Sequence, residues 1–276
     1  MLKRLMFIGN FMLLPKLIWK NRTLLGQLVL RNISMRYKGS ILGGIWCFIQ
    51  PLLMLCVYTF VFSVVFKARW GVNIGDSRGA FAVIMFCGMA LYSIFAECLS
   101  GNCSIILSNP NYVQKVIFPL EILPVAQVLT SFILGTVWFI LLLAGVIFIF
   151  GKISWTMFLI FPILLILLLF SLGFSFLVAS LGVYIRDTSY IVQVLLQILF
   201  FITPIFYPVE AVPEKFRVIL QSNPLTIIIE EARKVFLYGS LPDWNFLGIA
   251  FLISLVVLQL GFAFFYKTQK GFADVL

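Results

Sequence analysis

The stretch ILGGIWCFIQPLLMLCVYTFVFSVVF, residues 41–66, runs for 26 residues without a charge. Coiled as an α-helix it would be about 39 Å long, more than the ~30 Å of a bilayer's hydrocarbon core. Five further apolar runs follow, at 80–106, 122–150, 153–185, 188–209 and 244–266. The 276-residue chain is 62% hydrophobic and 11% charged, with a mean hydropathy of +1.11. Soluble domains carry about 25% charged residues. Run length and composition exclude an ordinary soluble domain. They predict an all-α polytopic membrane protein of six transmembrane helices over 41–267, between an N-terminal segment 1–40 and a tail 268–276.

Histidine is absent. That removes the common near-neutral proton shuttle, His-ligated metal centres and every Ser-His or Cys-His nucleophilic pair. Cys47, Cys56, Cys87, Cys98 and Cys103 lie in or beside apolar runs with no CxxC spacing, so they read as small hydrophobes and not as a disulfide or metal framework. No metal site is expected. The net charge of +10 has no separate basic domain behind it, which argues for membrane lipid as the anionic neighbour and against nucleic acid.

Residues 1–40 are basic, with no acid among them. A helical wheel over 22–38 gathers Gln27, Arg31, Ser34 and Lys38 on one face and Leu24, Leu25, Leu28, Val29 and Ile33 on the other. That is the pattern of an amphipathic helix at a membrane interface, although Asn32 and Arg36 interrupt its apolar side. With this end inside, the cytoplasmic loops hold twelve Lys and Arg against eight outside, so both termini are expected in the cytoplasm.

Two polar segments stand out. Residues 108–123, SNPNYVQKVIFPLEIL, place Asn109-Pro110 where a short helix could begin and Pro119 where it must end. By composition this is either a docking segment for a soluble partner or a plain turn. Residues 210–243 read as two short helices, one opened by Pro213-Glu214 and the other by Asn223-Pro224, where Asn supplies a cap and Pro a preset φ. The pair either re-enters the outer leaflet under cover of other helices or lies flat on the surface. No GxxxxGK[ST] phosphate loop exists; Gly151-Lys152 lacks the upstream glycine, and Ile153 stands where the hydroxyl residue belongs. Glu97, the carboxylate embedded in the second run, reads as a functional suspect or as an interfacial structural group.

Three blocks carry a family likeness: RNISMRYKGSILGGIW at 31–46 with the apolar run after it, NPNYVQKVIFPLEILP at 109–124, and SLGVYIRDTSY through SNPLTIIIEEARKVFLYG at 180–239. Together they resemble the membrane subunit of type-2 ABC exporters of surface polysaccharide, closest to the O-antigen permeases, with capsule and teichoic-acid permeases sharing the blocks. The resemblance implies a transport subunit of the bacterial inner membrane with no catalytic residues and no cofactor of its own. It would act as a homodimer with two ATPase subunits that bind ATP and Mg, moving an undecaprenyl-diphosphate-linked glycan outward. It assigns ATPase docking to Arg36, Lys38, Asn109, Tyr112, Lys115 and Phe118. The outer gate helices would carry Glu210, Pro213, Phe216, Asn223, Pro224 and Glu231. The first and fifth spans would line the passage at the dimer seam.

A sliding glycan wants flat aromatic faces and scattered amides rather than a charged pocket. Trp46, Gln50, Tyr58 and Phe62 in the first span, and Tyr190, Gln197, Phe201 and Tyr207 in the fifth, supply them; ordinary packing is the competing account. Arg31, Arg36 and Lys38 are candidates to meet a lipid diphosphate, with lipid anchoring as the alternative. An integral-membrane glycosyltransferase or acyltransferase is the distant rival; it would need clustered carboxylates, and only Glu230 and Glu231 are adjacent. A non-catalytic membrane scaffold is the third.

Overall fold

The computed structural model describes residues 13–65, 78–113, 118–151 and 153–275. Helix α1 covers Leu13–Lys20 and α2 covers Arg22–Arg36. The first span opens with a 3₁₀ turn at Gly43–Ile45, continues as α3 over Trp46–Thr59, and loosens to a π-helical turn at Phe60–Val65. There follow α4 (Arg78–Asn102), the short α5 (Pro110–Val113), α6 (Ile122–Phe150), and α7 (Ile160–Tyr184) after a 3₁₀ turn at Trp155–Leu159. Next come α8 (Thr188–Ile202), α9 (Glu214–Gln221), α10 (Pro224–Phe236), α11 (Trp244–Thr268) and α12 (Phe272–Val275).

Among the described residues five helical segments are long and apolar enough to cross a membrane, not the six expected. The exception is the fifth run. Expected to continue to residue 209, its helix α8 stops at Ile202 after 15 residues, about 22 Å and short of the ~30 Å core. Pro204 has no N–H to donate, and it disfavours helical geometry at Thr203, which is extended at ψ 136. The second run also ends early, at Asn102 rather than 106, in a series of turns. The interfacial helix stops at Arg36, leaving Lys38 exposed in the turn beyond it.

Successive spans alternate direction, giving a proximal end that carries α2 and a distal end that carries α10. Arg31 to Asn109 and Tyr112, Glu121 to Gln269, and Tyr184 to Thr268 are cross-ties at the proximal end. The Thr156 hydroxyl donates to Val235 O (2.7 Å) at the distal end. Leu25, Leu28 and Val29 are buried on α2, which packs against α6, so the expected apolar stripe is the one in use.

Helix α4 sits at the centre, packed against α6, α7, α8 and α10. The largest helix–helix contact is between α7 and α11, and glycine makes it. A Cβ on Gly173 would lie 2.6 Å from Val257 C and Leu258 N, and one on Gly261 would collide with Gly173 O. Where lipid is as apolar as leucine, such close backbone approach supplies the packing that holds helices together. By contrast α3 and α8 are peripheral, with Leu53 and Val57 on one and Val194, Leu195 and Ile198 on the other exposed.

The two helices between α8 and α11 differ in surroundings. On α9, Phe216, Val218 and Ile219 are exposed. On α10, Leu225, Ile228, Ile229, Ala232, Val235 and Phe236 are buried against α4, α7 and α11, at the spacing of one helical face. Asn223 caps α10 as the sequence implies: its Oδ1 accepts from Leu225 N at 3.0 Å, with Pro224 in the first turn.

Candidate functional site

A cavity of about 440 Å³ opens between α3, α4, α6 and α8 beneath the end of α2. Gln50 and Tyr58 face it from α3, Ser93 and Ser100 from α4, Trp138 from α6, and Gln193 and Phe200 from α8. Its walls thus mix aromatic faces with amides and hydroxyls. At its proximal mouth the Arg36 guanidinium is ion-paired with Glu97. Burial alone would lower the Arg36 pKa, but the bonded Glu97 carboxylate raises it further, leaving the guanidinium above its ordinary value and charged. Burial also lifts the neighbouring Tyr37 phenol, with the Arg36 charge working against it.

At the other end the cavity meets packed rings. Tyr58 lies 5.2 Å from Phe206 and 6.0 Å from Phe200, ring centre to ring centre. Phe62 stacks on Phe206 at 4.5 Å and 13°. The Tyr92 hydroxyl of α4 donates to Leu196 O and ties α8 to the central helix.

The irregular segment after α8 is held from two sides. The last carbonyls of a helix have no partner within it. Here the Tyr207 hydroxyl lies 2.9 Å from Phe201 O and 3.0 Å from Ile202 O. Arg233 of α10, fully buried at 0% exposure, donates from Nη1 to Pro204 O (2.8 Å), from Nη2 to Ile205 O (3.0 Å) and from Nε to Ile84 O (3.3 Å). Its charge is met by Glu230 at 2.7 Å.

A second polar cluster joins α2 to the 109–118 segment. Arg31 Nη1 donates to the Tyr112 hydroxyl (3.0 Å) and Nη2 to Asn109 Oδ1 (3.3 Å). Tyr112 stacks on Phe118 at 4.3 Å and 19°. These two rings line a groove of about 580 Å³ with Leu17, Glu121, Gln269 and Lys270. Among the described residues no group of three or more His, Cys, Asp or Glu could hold a metal ion.

Residues 23–237 match the family model described as "ABC-2 type transporter". The chain belongs to the ABC-2 type transporter family. Over 263 residues this ABC-2 chain is 30% identical to the O-antigen export system permease protein RfbA of Myxococcus xanthus, covering 93% of this chain and 96% of the relative. A protein of the same name from Klebsiella pneumoniae is 26% identical over 89% of this chain and 92% of its own. The polysialic acid transport protein KpsM of Escherichia coli is 25% identical over 88% and 92%. The chain is thus similar over most of its length to proteins named for O-antigen export and polysialic acid transport.

Within this ABC-2 fold the sequence-derived path residues divide. Gln50 and Tyr58 face the cavity, and Phe62 belongs to the ring cluster at its end. Tyr190 (71% exposed), Phe201 and Gln197 lie along the open side of α8, and Trp46 is exposed near the start of α3. Tyr207 caps α8. Of the docking residues, Asn109, Tyr112 and Phe118 come together around Arg31, whereas Arg36 is engaged by Glu97 and Lys38 stands apart. Lys115 lies outside the described residues. In the 210–243 region the Glu210 carbonyl accepts from Arg217 at 2.7 Å, Pro213 precedes α9, and Phe216 is exposed. Buried Glu231 binds Lys234 (2.7 Å) and accepts from Asp243 N (2.8 Å), fastening α10 to the start of α11.

Arg233, Phe206 and Gly88 were missed by sequence reasoning. Arg233 counted only among the eight cations expected outside. The available signal was that Arg233 lies beside Ile229 and Phe236, four residues before and three after it, on an apolar helix face where a cation needs buried acceptors.

Proposed function

We propose that this chain is the membrane subunit of an ATP-driven polysaccharide exporter in a bacterial inner membrane, moving a lipid-diphosphate-linked glycan, most consistent with O-antigen. The observation that carries the reading is the cavity: aromatic and amide walls on which, among the described residues, Arg36 and Glu97 at the mouth are the charged ones. Such a lining suits the C–H faces and hydroxyls of a sugar chain passing through. The permease relatives support it, the 30% identity to an O-antigen protein exceeding the 25% to the polysialic acid protein. Export of a capsular glycan or teichoic acid is the second reading, favoured by the latter relative.

In this reading α8 and the segment to residue 209 together make the sixth crossing, and α9 and α10 form the outer re-entrant pair. The proximal end and both termini face the cytoplasm. A second copy covers the exposed faces of α3 and α8, and each copy receives an ATPase subunit, which binds the ATP and Mg, on the cluster of Asn109, Tyr112 and Phe118. Arg36 and Lys38 lie where a lipid diphosphate would arrive from the inner leaflet, and an undecaprenyl carrier is the expected lipid. The test is surface glycan in a deletion strain complemented with this chain, beside an ATPase partner that is either active or unable to hydrolyse ATP. Glycan is expected at the surface only with the active partner; its appearance with the inactive one would refute ATP-driven export.

A further inference from the structure

The backbone break after α8 lies among apolar side chains, with Thr203, Ile205 and Phe206 all buried. Carbonyls in such surroundings need donors from protein. Two of them, on Pro204 and Ile205, are served by one planar guanidinium fork, that of Arg233. The fork has a fitted seat. A Cβ at Gly88 of α4 would fall 2.8 Å from Arg233 Nη2 and 3.5 Å from Ile205 Cα, so glycine is what lets the guanidinium and the break both approach α4.

The next residue, Phe206, is the one stacked on Phe62, and it also lies edge-on to Phe200 at 5.0 Å. Of its ring neighbours, Tyr58 and Phe200 are lining residues of the cavity. The ring that caps this end of the cavity is therefore carried on a backbone whose two preceding carbonyls are gripped by α10. We propose that Arg233 is a positioning residue that holds Phe206 across the cavity's distal end as its closure, and that displacement of α10 withdraws this ring to open the way outward. This rests on reading the cavity as the transport path. Glu230, 30% exposed, keeps the cation balanced at the edge of the break and gives α10 a side from which the grip can be loosened.

The test uses the full-length chain in native membranes with its ATPase partner. Cys47 and Cys56 are changed to alanine, and Phe62→Cys and Phe206→Cys are bridged with dibromobimane, which fluoresces on joining two thiols. Strong bridging is expected with Arg233 present and a several-fold loss with Arg233→Met. Arg233→Lys, which keeps the charge but not the fork, should restore little. Gly88→Ala, which retains every polar group and only crowds the seat, should give an intermediate loss; it serves as the second variant should Arg233→Met fail to elute as folded protein. Bridging unchanged in Gly88→Ala and Arg233→Met would overturn the positioning role. In liposomes, Phe206→Ala is expected to leak a small neutral solute that the parent retains; a sealed Phe206→Ala chain that still exports would overturn the closure. Bridging that depends on Arg233 in a chain that exports no glycan would uphold the positioning and fell only the exporter reading.

Discussion

Arg36, the last residue of α2, and Glu97 of α4 form an ion pair across 61 positions of sequence, at the proximal mouth of the cavity. Their side chains are 38% and 27% exposed, so water screens the attraction. Pairs of that kind contribute about 0.2–1 kcal/mol. The contact is therefore better suited to placing the end of the interfacial helix than to holding the bundle together.

Glu97→Gln should accordingly lower unfolding stability by no more than about 1 kcal/mol. Arg36→Glu, which sets two carboxylates together, should impair export more than Lys38→Glu, since Lys38 is exposed, and far more than Lys267→Glu. The swapped pair Arg36→Glu with Glu97→Arg should recover part of the loss. Surface glycan and thermal unfolding in detergent check this. Equal damage from all three lysine and arginine reversals would reduce them to anchoring charges.

The Tyr112 hydroxyl accepts a hydrogen bond from Arg31, while its ring stacks on Phe118 and lies 5.8 Å from the Arg31 guanidinium. Tyr112→Phe removes the first, a net effect of about 0.5–1.5 kcal/mol, and keeps the ring. We expect it to retain ATPase coupling, while Tyr112→Ala loses it. Substrate-stimulated ATP hydrolysis by the complex is the readout, and parity between the two variants would contradict a role for the ring.

Asn223 has two duties, capping α10 and donating to Thr203 Oγ1 at 3.2 Å. Asn223→Ala should cost about 0.5–2 kcal/mol from the cap alone. Asn223→Asp, which caps but cannot donate, should recover most of it. Melting of the purified protein decides, and an unshifted midpoint for the alanine variant would show that α10 needs no cap.

Most of the helical framework was legible because an uncharged run of helical length has few alternatives in a membrane. Asn223-Pro224 was legible too, because capping chemistry is local. The end of the fifth span was not: the residues after Ile202 are as apolar as those before it, and Pro204 stops the helix without changing the hydropathy. The pairing of Arg36 with Glu97 was equally hidden. Each looked unusual in its own segment, but nothing local to either could name a partner 61 residues away. On α8 the aromatic and amide residues were all visible; which of them face the cavity depends on helix rotation, and Gln193 and Phe200 do where Tyr190 and Gln197 do not.

Gly173→Ala tests the α7–α11 contact, since the added methyl meets backbone at 2.6 Å that cannot swing aside. Overpacking of this sort costs about 1–3 kcal/mol. The variant should melt earlier and yield less folded protein, whereas Gly26→Ala, with open space around it, should be neutral or slightly better. A Gly173→Ala protein as stable as its parent would mean that the two helices can spread at little cost.

That glycine contact also divides the molecule mechanically. Backbones that touch cannot shift lengthwise without prising apart, so α7 and α11, with α4 wedged beside them, make a fixed frame. Among the described residues, helices α3 and α8 make no glycine-mediated backbone contact of that kind; α8 is tied to the frame by the Tyr92 hydroxyl at Leu196 O, and the two are expected to be the movable panel. Amide hydrogen exchange is expected to follow the same partition, slowest along the frame and fastest along the panel.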